Sequence, residues 1–329
     1  MAASKKAIQN GIFLILTLAI VGLVNFLFLR GYRAENMDSF LASIYDKTAL
    51  LESTPAPRII LVGGSNVAFG FDSHALAEKS GMAVINTGIQ GNLGIRFMLN
   101  SIKPYLRPGD LVLVSPEYHI LLDSIHSGEI LDDLLILYPQ GISSLSSLQE
   151  RWLAARDFLA VHAGAIKESL EARLIPLDEN PPEAERVYFR SAFDPETGDI
   201  TTNFDSNAAP FTATPAMDYQ VPNPILDRNM EFLNQYAKEV AAQQVRLIFV
   251  FPAVGTIEDP SARNILDQLE SELHERLHLE LLNTWRDSQF ENQYLFDTLY
   301  HLNASGRAIH TQNIADALCS GDYGLKCKP

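Results

Sequence analysis

Four short apolar runs constrain the fold of this chain more than any other feature. RIILVGGSN (58–66), AVINTGI (83–89), DLVLVSPEY (110–118) and VRLIFVFPAV (245–254) each carry a continuous apolar block that runs into Gly, Pro, Ser or Asn. Blocks of that length without polar alternation fit strands buried on both faces, as in a parallel sheet. Stretches with helical periodicity at 74–79, 94–105 and 226–243 separate them. Strands alternating with helices predict an α/β fold with a parallel sheet. With 329 residues, 47% of them apolar and 20% charged, the chain has ample material for a core and does not read as disordered.

The N-terminus has a different character. Residues 7–29 hold no charge, and GIFLILTLAIVGLVNFLFL (11–29) is apolar apart from Thr17 and Asn25. Nineteen helical residues reach roughly 28 Å, about the thickness of a bilayer core. Lys5 and Lys6 on one side nearly balance Arg30 and Arg33 on the other, so flanking charge hardly sets an orientation. The run is long for a cleavable signal and lacks an obvious small-residue cleavage site. The expectation is an uncleaved anchor over residues 1–33 that crosses the bilayer through 11–29. A juxtamembrane helix and linker (34–56) follows, in which Met37, Phe40, Leu41, Ile44 and Tyr45 recur at helical spacing. The α/β domain then fills 57–329, interrupted by an insertion at about 125–225.

Forty acidic residues against 25 basic ones (net −15), with no basic cluster, exclude a phosphate-backbone binder, so no nucleic-acid partner is expected. Cys319 and Cys327 flank a polar loop, CSGDYGLKC. They read as a small disulfide loop in an oxidising compartment or as two free thiols. With the anchor, the pair favours a bacterial inner-membrane protein whose domain faces the periplasm.

Within the insertion, 125–175 reads as mostly helical, and Trp152 is expected to anchor those helices in the core. Residues 186–225 are rich in Asn, Pro, Thr and Asp, with Tyr188, Phe189, Phe193, Phe204, Phe211 and Tyr219 interleaved. Such a segment is either a loop pinned by its rings or a substrate-facing lid.

Two places carry groups suited to acyl chemistry. Ser65 follows the first predicted strand, and ligands of open α/β sheets gather beyond the carboxyl ends of strands. A hydroxyl there is a nucleophile if a base takes its proton, and otherwise a turn or capping residue. The G-x-S-x-G elbow is absent, because position 67 is valine. In FDTLYHLNASGRAIHT, Asp297 and His301 stand four apart, so a helical turn would set the carboxylate beside the imidazole. A separate H-E-x-x-H, His274 to His278, lies in a predicted amphipathic helix with Leu266, Leu269, Leu273 and Leu277 as its buried stripe. It lacks a convincing third ligand, and the charged face of an amphipathic helix, with Glu270, Glu272 and Glu275, accounts for it.

Together, Ser65 after the first strand and the Asp297–His301 block near the end resemble the SGNH/GDSL hydrolase superfamily. The closest likeness is to its membrane-anchored branch associated with cell-envelope polysaccharide O-acetylation. The resemblance spans about residues 57–318 and leaves 125–225 unexplained. It implies a three-layer, flavodoxin-like α/β domain and a catalytic triad of Ser65, His301 and Asp297. NTGIQGN (86–92) is similar to the family's glycine block and places Gly91 as a backbone oxyanion donor. The third block departs from the pattern. Where the family carries Gly-x-Asn-Asp, this chain has SPEYH, so the asparagine donor is missing, and Glu117, acceptor-only when ionised, cannot replace it. Asn66 and Asn92 are the remaining candidate side-chain donors. Asp297 and His301 are also one residue further apart than the family spacing.

The implied activity is a serine esterase or O-acyltransferase, with acetyl the implied acyl group and an envelope or exported polysaccharide the implied substrate. A membrane-bound acyltransferase is the implied partner, and neither cofactor nor metal is called for. The alternatives are a non-catalytic polysaccharide-binding or scaffold protein and, through His274 and His278, a zinc hydrolase.

Overall fold

The computed structural model describes residues 2–122, 128–145, 148, 151–152, 187–200 and 219–328. Much of the expected insertion, including Phe204 and Phe211, lies outside them. Strands β1 (Arg58–Gly63), β2 (Ala83–Asn86), β3 (Leu111–Ser115), β4 (Arg246–Phe249) and β6 (Glu280–Leu281) form one sheet in the order β2-β1-β3-β4-β6. Every pairing in it is parallel. Counting only its own strands, the order is 2-1-3-4-5, the doubly wound arrangement whose switch point lies between the first and third strands.

Side-chain alternation along the strands divides the core into two. Ile60, Val62, Val112, Val114, Leu247 and Phe249 pack beneath α2 (Ile44–Ser53), α5 (Ile95–Ile102), α8 (Pro224–Ala241) and α9 (Pro260–Arg276). Ile59, Leu61, Leu111, Leu113 and Ile248 face the other way, onto Leu76 of α4 (Ser73–Ser80) and Ile314 and Leu318 of α10 (Ala304–Ser320). Both faces are covered, which is why the strands read as unbroken apolar runs. At the opposite edge from the carboxyl ends, buried Arg58 donates to the Leu51 and Thr54 carbonyls at 2.5 and 2.9 Å and pairs with Asp110 at 3.3 Å. This joins α2, β1 and the start of β3.

The chain begins with α1 (Ala2–Glu35). Its described apolar side chains from Ile12 to Leu27, including Phe13, Leu14 and Ile15, stand exposed, and Phe28 and Leu29 are half-buried. Among the described residues no helix is long and apolar enough to cross a membrane. The side chains of Leu18, Val21, Val24 and Asn25, inside the expected span, lie outside that description. The end of α1 is fastened to α7 (Gly128–Leu137): Tyr32 donates to Asp133 at 3.3 Å and Arg33 to the Ile136 carbonyl at 2.6 Å.

Within the segment expected as a juxtamembrane helix, a 3₁₀ turn, Phe40–Ser43, runs into α2, which ends at Ser53. Two local expectations are corrected. Trp152 is 62% exposed rather than in the core. Helix α9 ends at Arg276, and Leu277 is extended (φ −81°, ψ 132°), so His278 lies off the helix and His274 and His278 share no continuous helical face. Leu277 itself caps that end and keeps its place in the buried stripe. Cys319 and Cys327 are joined as a disulfide.

Candidate active site

The Ser65 side is built by close backbone approach. Strand β1 ends at Gly63, and Ser65 opens α3 (Ser65–Gly70). A methyl group on Gly64 would lie 2.6 Å from the Gly91 nitrogen and 2.7 Å from Glu117 Oε1. Only a hydrogen therefore fits between the two loops. Asn66 accepts the Gly64 N–H at 3.0 Å and donates to the Ser115 carbonyl at 2.9 Å. Its amide thus ties the end of β1 to the end of β3 and is committed away from a substrate. Asn92, by contrast, is exposed on the turn Gly91–Leu93.

Glu117 follows Pro116 at the carboxyl end of β3, opening into α6 (Tyr118–Leu122). Its side chain is only 7% exposed. Oε1 accepts the Asn66 N–H at 3.3 Å and the Ser65 hydroxyl at 3.4 Å, while Oε2 lies 3.5 Å from His119 Nδ1. Gly91 is packed against the same carboxylate, and a methyl group there would come 3.0 Å from Oε2. The structure therefore brings Ser65, Gly91 and Glu117 together at the switch point.

The imidazole side is built on a loop. Asp297 and His301 do not occupy a helical turn. An antiparallel bridge between Leu295 and Leu302 and a 2.8 Å bond from Phe296 N–H to the His301 carbonyl close the segment on itself. Gly255, in the small pair formed by β5 (Val254–Gly255) and β7 (Gln289–Phe290), donates to the Leu299 carbonyl at 2.8 Å and holds the loop to the body. This closure sets Asp297 Oδ1 2.7 Å from His301 Nδ1. The carboxylate fixes the proton on Nδ1 and leaves Nε2 as the basic nitrogen. Burial pushes the Asp297 carboxyl up. The bond from His301, the charge of that ring and the Tyr188 hydroxyl outweigh this and hold the group below its ordinary value.

His301 is buried and stacks on Phe69, with centroids 4.0 Å apart and planes 3° from parallel. Phe69 is four residues after Ser65 in α3, so the two share one helical face. Segments more than two hundred positions apart thus meet through that ring. Among the described residues, the hydrogen bond recorded for the Ser65 hydroxyl goes to Glu117 rather than to His301.

Sequence reasoning missed two contributors. Tyr188 donates its hydroxyl to Asp297 Oδ2 and lies 3.4 Å from His301 Nδ1; burial, then the Asp297 carboxylate, raise its pKa, so it stays protonated. Tyr188 is the interleaved aromatic that meets the site; its ring also packs on Phe40 and Phe69. Phe189 pairs with Ser39, and Phe193 packs on Phe40. The second missed feature is a buried polar cluster that holds the segment bearing Tyr188. Lys47 donates to the Asn86 and Gly198 carbonyls at 2.9 and 2.6 Å, and Asp199 accepts from Ser73 and Asn86. Burial lowers Lys47 to about 7 against the pull of Asp199 and Asp46.

A small cavity of about 30 Å³ lies beneath α2 and α5; Lys47, Gly63 and Thr87 help line it, whereas Ser65, Glu117 and His301 do not. Among the described residues no cluster of three metal-ligating side chains occurs. Comparison of the chain with protein-family models, curated proteins and solved structures gives no match.

Proposed function

We propose that this chain is a membrane-anchored, SGNH-type serine esterase or O-acyltransferase acting on an acylated envelope or exported polysaccharide outside the cytoplasm. The reading is carried by one observation: the Asp297–His301 pair docks onto Phe69, one helical turn from Ser65, at the carboxyl end of β1. The anchor is part of the proposal and rests on the uncharged stretch 7–29 and the exposure of its described apolar side chains from Ile12 to Leu27.

In this mechanism Ser65 Oγ bonds to the ester carbon while His301 Nε2 takes its proton, and the carbonyl pair moves onto oxygen. Collapse expels the alcohol, which leaves with the proton from His301. The acyl group on Ser65 then passes to water or to a sugar hydroxyl, with His301 again relaying the proton. Asp297 stabilises the imidazolium, and Tyr188 positions Asp297. Acetyl as the acyl group and a membrane acyltransferase as partner follow from the family resemblance alone.

The test is covalent labelling by a fluorophosphonate. Labelling is expected in the wild type and is abolished by both Ser65→Ala and His301→Ala. Labelling that persists in Ser65→Ala removes Ser65 as the nucleophile. One observation favours a second reading, polysaccharide binding without acyl chemistry: the Ser65 hydroxyl is turned to Glu117. That reading expects no labelling and carbohydrate binding that survives Ser65→Ala.

A further inference from the structure

We infer that Glu117 determines which acyl substrates the Ser65 site accepts, by filling the pocket in which an ester oxyanion must form. The inference rests on the esterase or acyltransferase reading above and adds a residue to it. The carboxylate is seated between Gly64 and Gly91, each approaching so closely that a methyl group on either would lie 2.7–3.0 Å from one of its oxygens. It accepts the Asn66 N–H and the Ser65 hydroxyl through a single oxygen. An acyl carbon bonded to Ser65 Oγ must put its own oxygen beside that hydroxyl and against the same backbone, where donors are needed. Glu117 puts an acceptor, and when ionised a negative charge, in that place.

His119, 3.5 Å from Oε2 and itself 29% exposed, is the group placed to receive the displaced carboxylate. A small ester gains too little contact to move Glu117, and a large acceptor or donor that engages His119 does. The resting site is accordingly poor toward simple esters and selective for a substrate that displaces Glu117.

The experiment follows hydrolysis of 4-nitrophenyl acetate and fluorophosphonate labelling by the full-length protein, its Glu117→Gln and Glu117→Ala variants, and each combined with Ser65→Ala. On the ester, Ser65 Oγ forms a bond to the acetyl carbon, its proton passes to His301, and 4-nitrophenolate leaves. Water then takes the acetyl group, releasing acetate and restoring the hydroxyl. Glutamine keeps the shape, removes the charge and turns an N–H₂ donor toward the pocket. A well-placed oxyanion donor is worth about a hundredfold or more in rate, so Glu117→Gln is expected to act at least ~10-fold faster than wild type. Glu117→Ala is expected to gain less, through the opened pocket, and serves if the glutamine variant does not fold. Both gains vanish with Ser65→Ala. Ser65-dependent labelling of the wild type with no gain, or a loss, in both Glu117 variants overturns this inference alone. Absence of Ser65-dependent reaction in every protein overturns the esterase reading and this inference with it.

Discussion

The two halves of the site are built differently. The Ser65 half is a matter of backbone: β1 and β3 end side by side, Asn66 ties them, and Gly64 and Gly91 touch without side chains between them. The His301 half is a matter of side chains on a loop: Asp297 and Tyr188 fix the ring, and Phe69 is the surface on which it rests. Backbone contact in a buried sheet admits no adjustment, whereas a stacked ring on a loop can slide. The geometry around Ser65 is therefore set by folding itself, and that of His301 by a few interactions that can be removed singly.

Three substitutions test this contrast. The largest effect belongs to the loop half. Asp297→Asn keeps the shape and loses the charge that holds the Nδ1 proton and stabilises the imidazolium. Ser65-dependent hydrolysis should fall about a thousandfold, about 4 kcal/mol in barrier, with little change in melting temperature. A rate within threefold of wild type would mean that His301 works without its carboxylate.

Gly64→Ala is next and strikes the backbone half. Its φ of −82° suits alanine, so the cost is steric, from a methyl group 2.6 Å from the Gly91 backbone. Equilibrium unfolding should show a loss of about 3 kcal/mol, because neither loop backbone can retreat. An alanine variant as stable as wild type would show that the two loops can separate.

The smallest effect sits where the halves join. His310 of α10 is buried, bonded through Nδ1 to the Gly70 carbonyl at the end of α3, and among the described residues its Nε2 has no hydrogen-bond partner. Burial, against the Gly70 bond, lowers it from 6.5 to about 4. Between those values the unfolded chain binds the proton and the folded one does not, so stability falls as pH drops through that window. The loss is about 2 kcal/mol at pH 5 relative to pH 8. Denaturant melts of His310→Leu across this range should show a flatter pH dependence than wild type by that amount. An unchanged slope would place the acid sensitivity elsewhere.

The sheet was legible before any coordinates, because each strand of RIILVG or LVLVS is covered on both faces and the chain records that locally as uninterrupted apolar residues. The pairing of Asp297 with His301 was legible too, although through the wrong local shape. Their separation suits a helical turn, and the chain reaches the same contact through a closed loop whose bridge, Leu295 to Leu302, has no local signature. Tyr188 was one ring among six in a polar segment, and nothing near it in the chain marks Asp297 as its partner.

What the residues determine alone is where apolar surface must be hidden, and hence four of the parallel strands, the helices between them and a serine at a strand's end. Tertiary structure alone decided that Ser65 meets a carboxylate from just beyond β3, that Asn66 is spent on holding two strands together, and that His301 arrives by resting on Phe69. The reason is one of range. Hydrophobic burial is written residue by residue along the chain, whereas the neighbours of a reactive atom depend on strand order and on how closely two backbones approach.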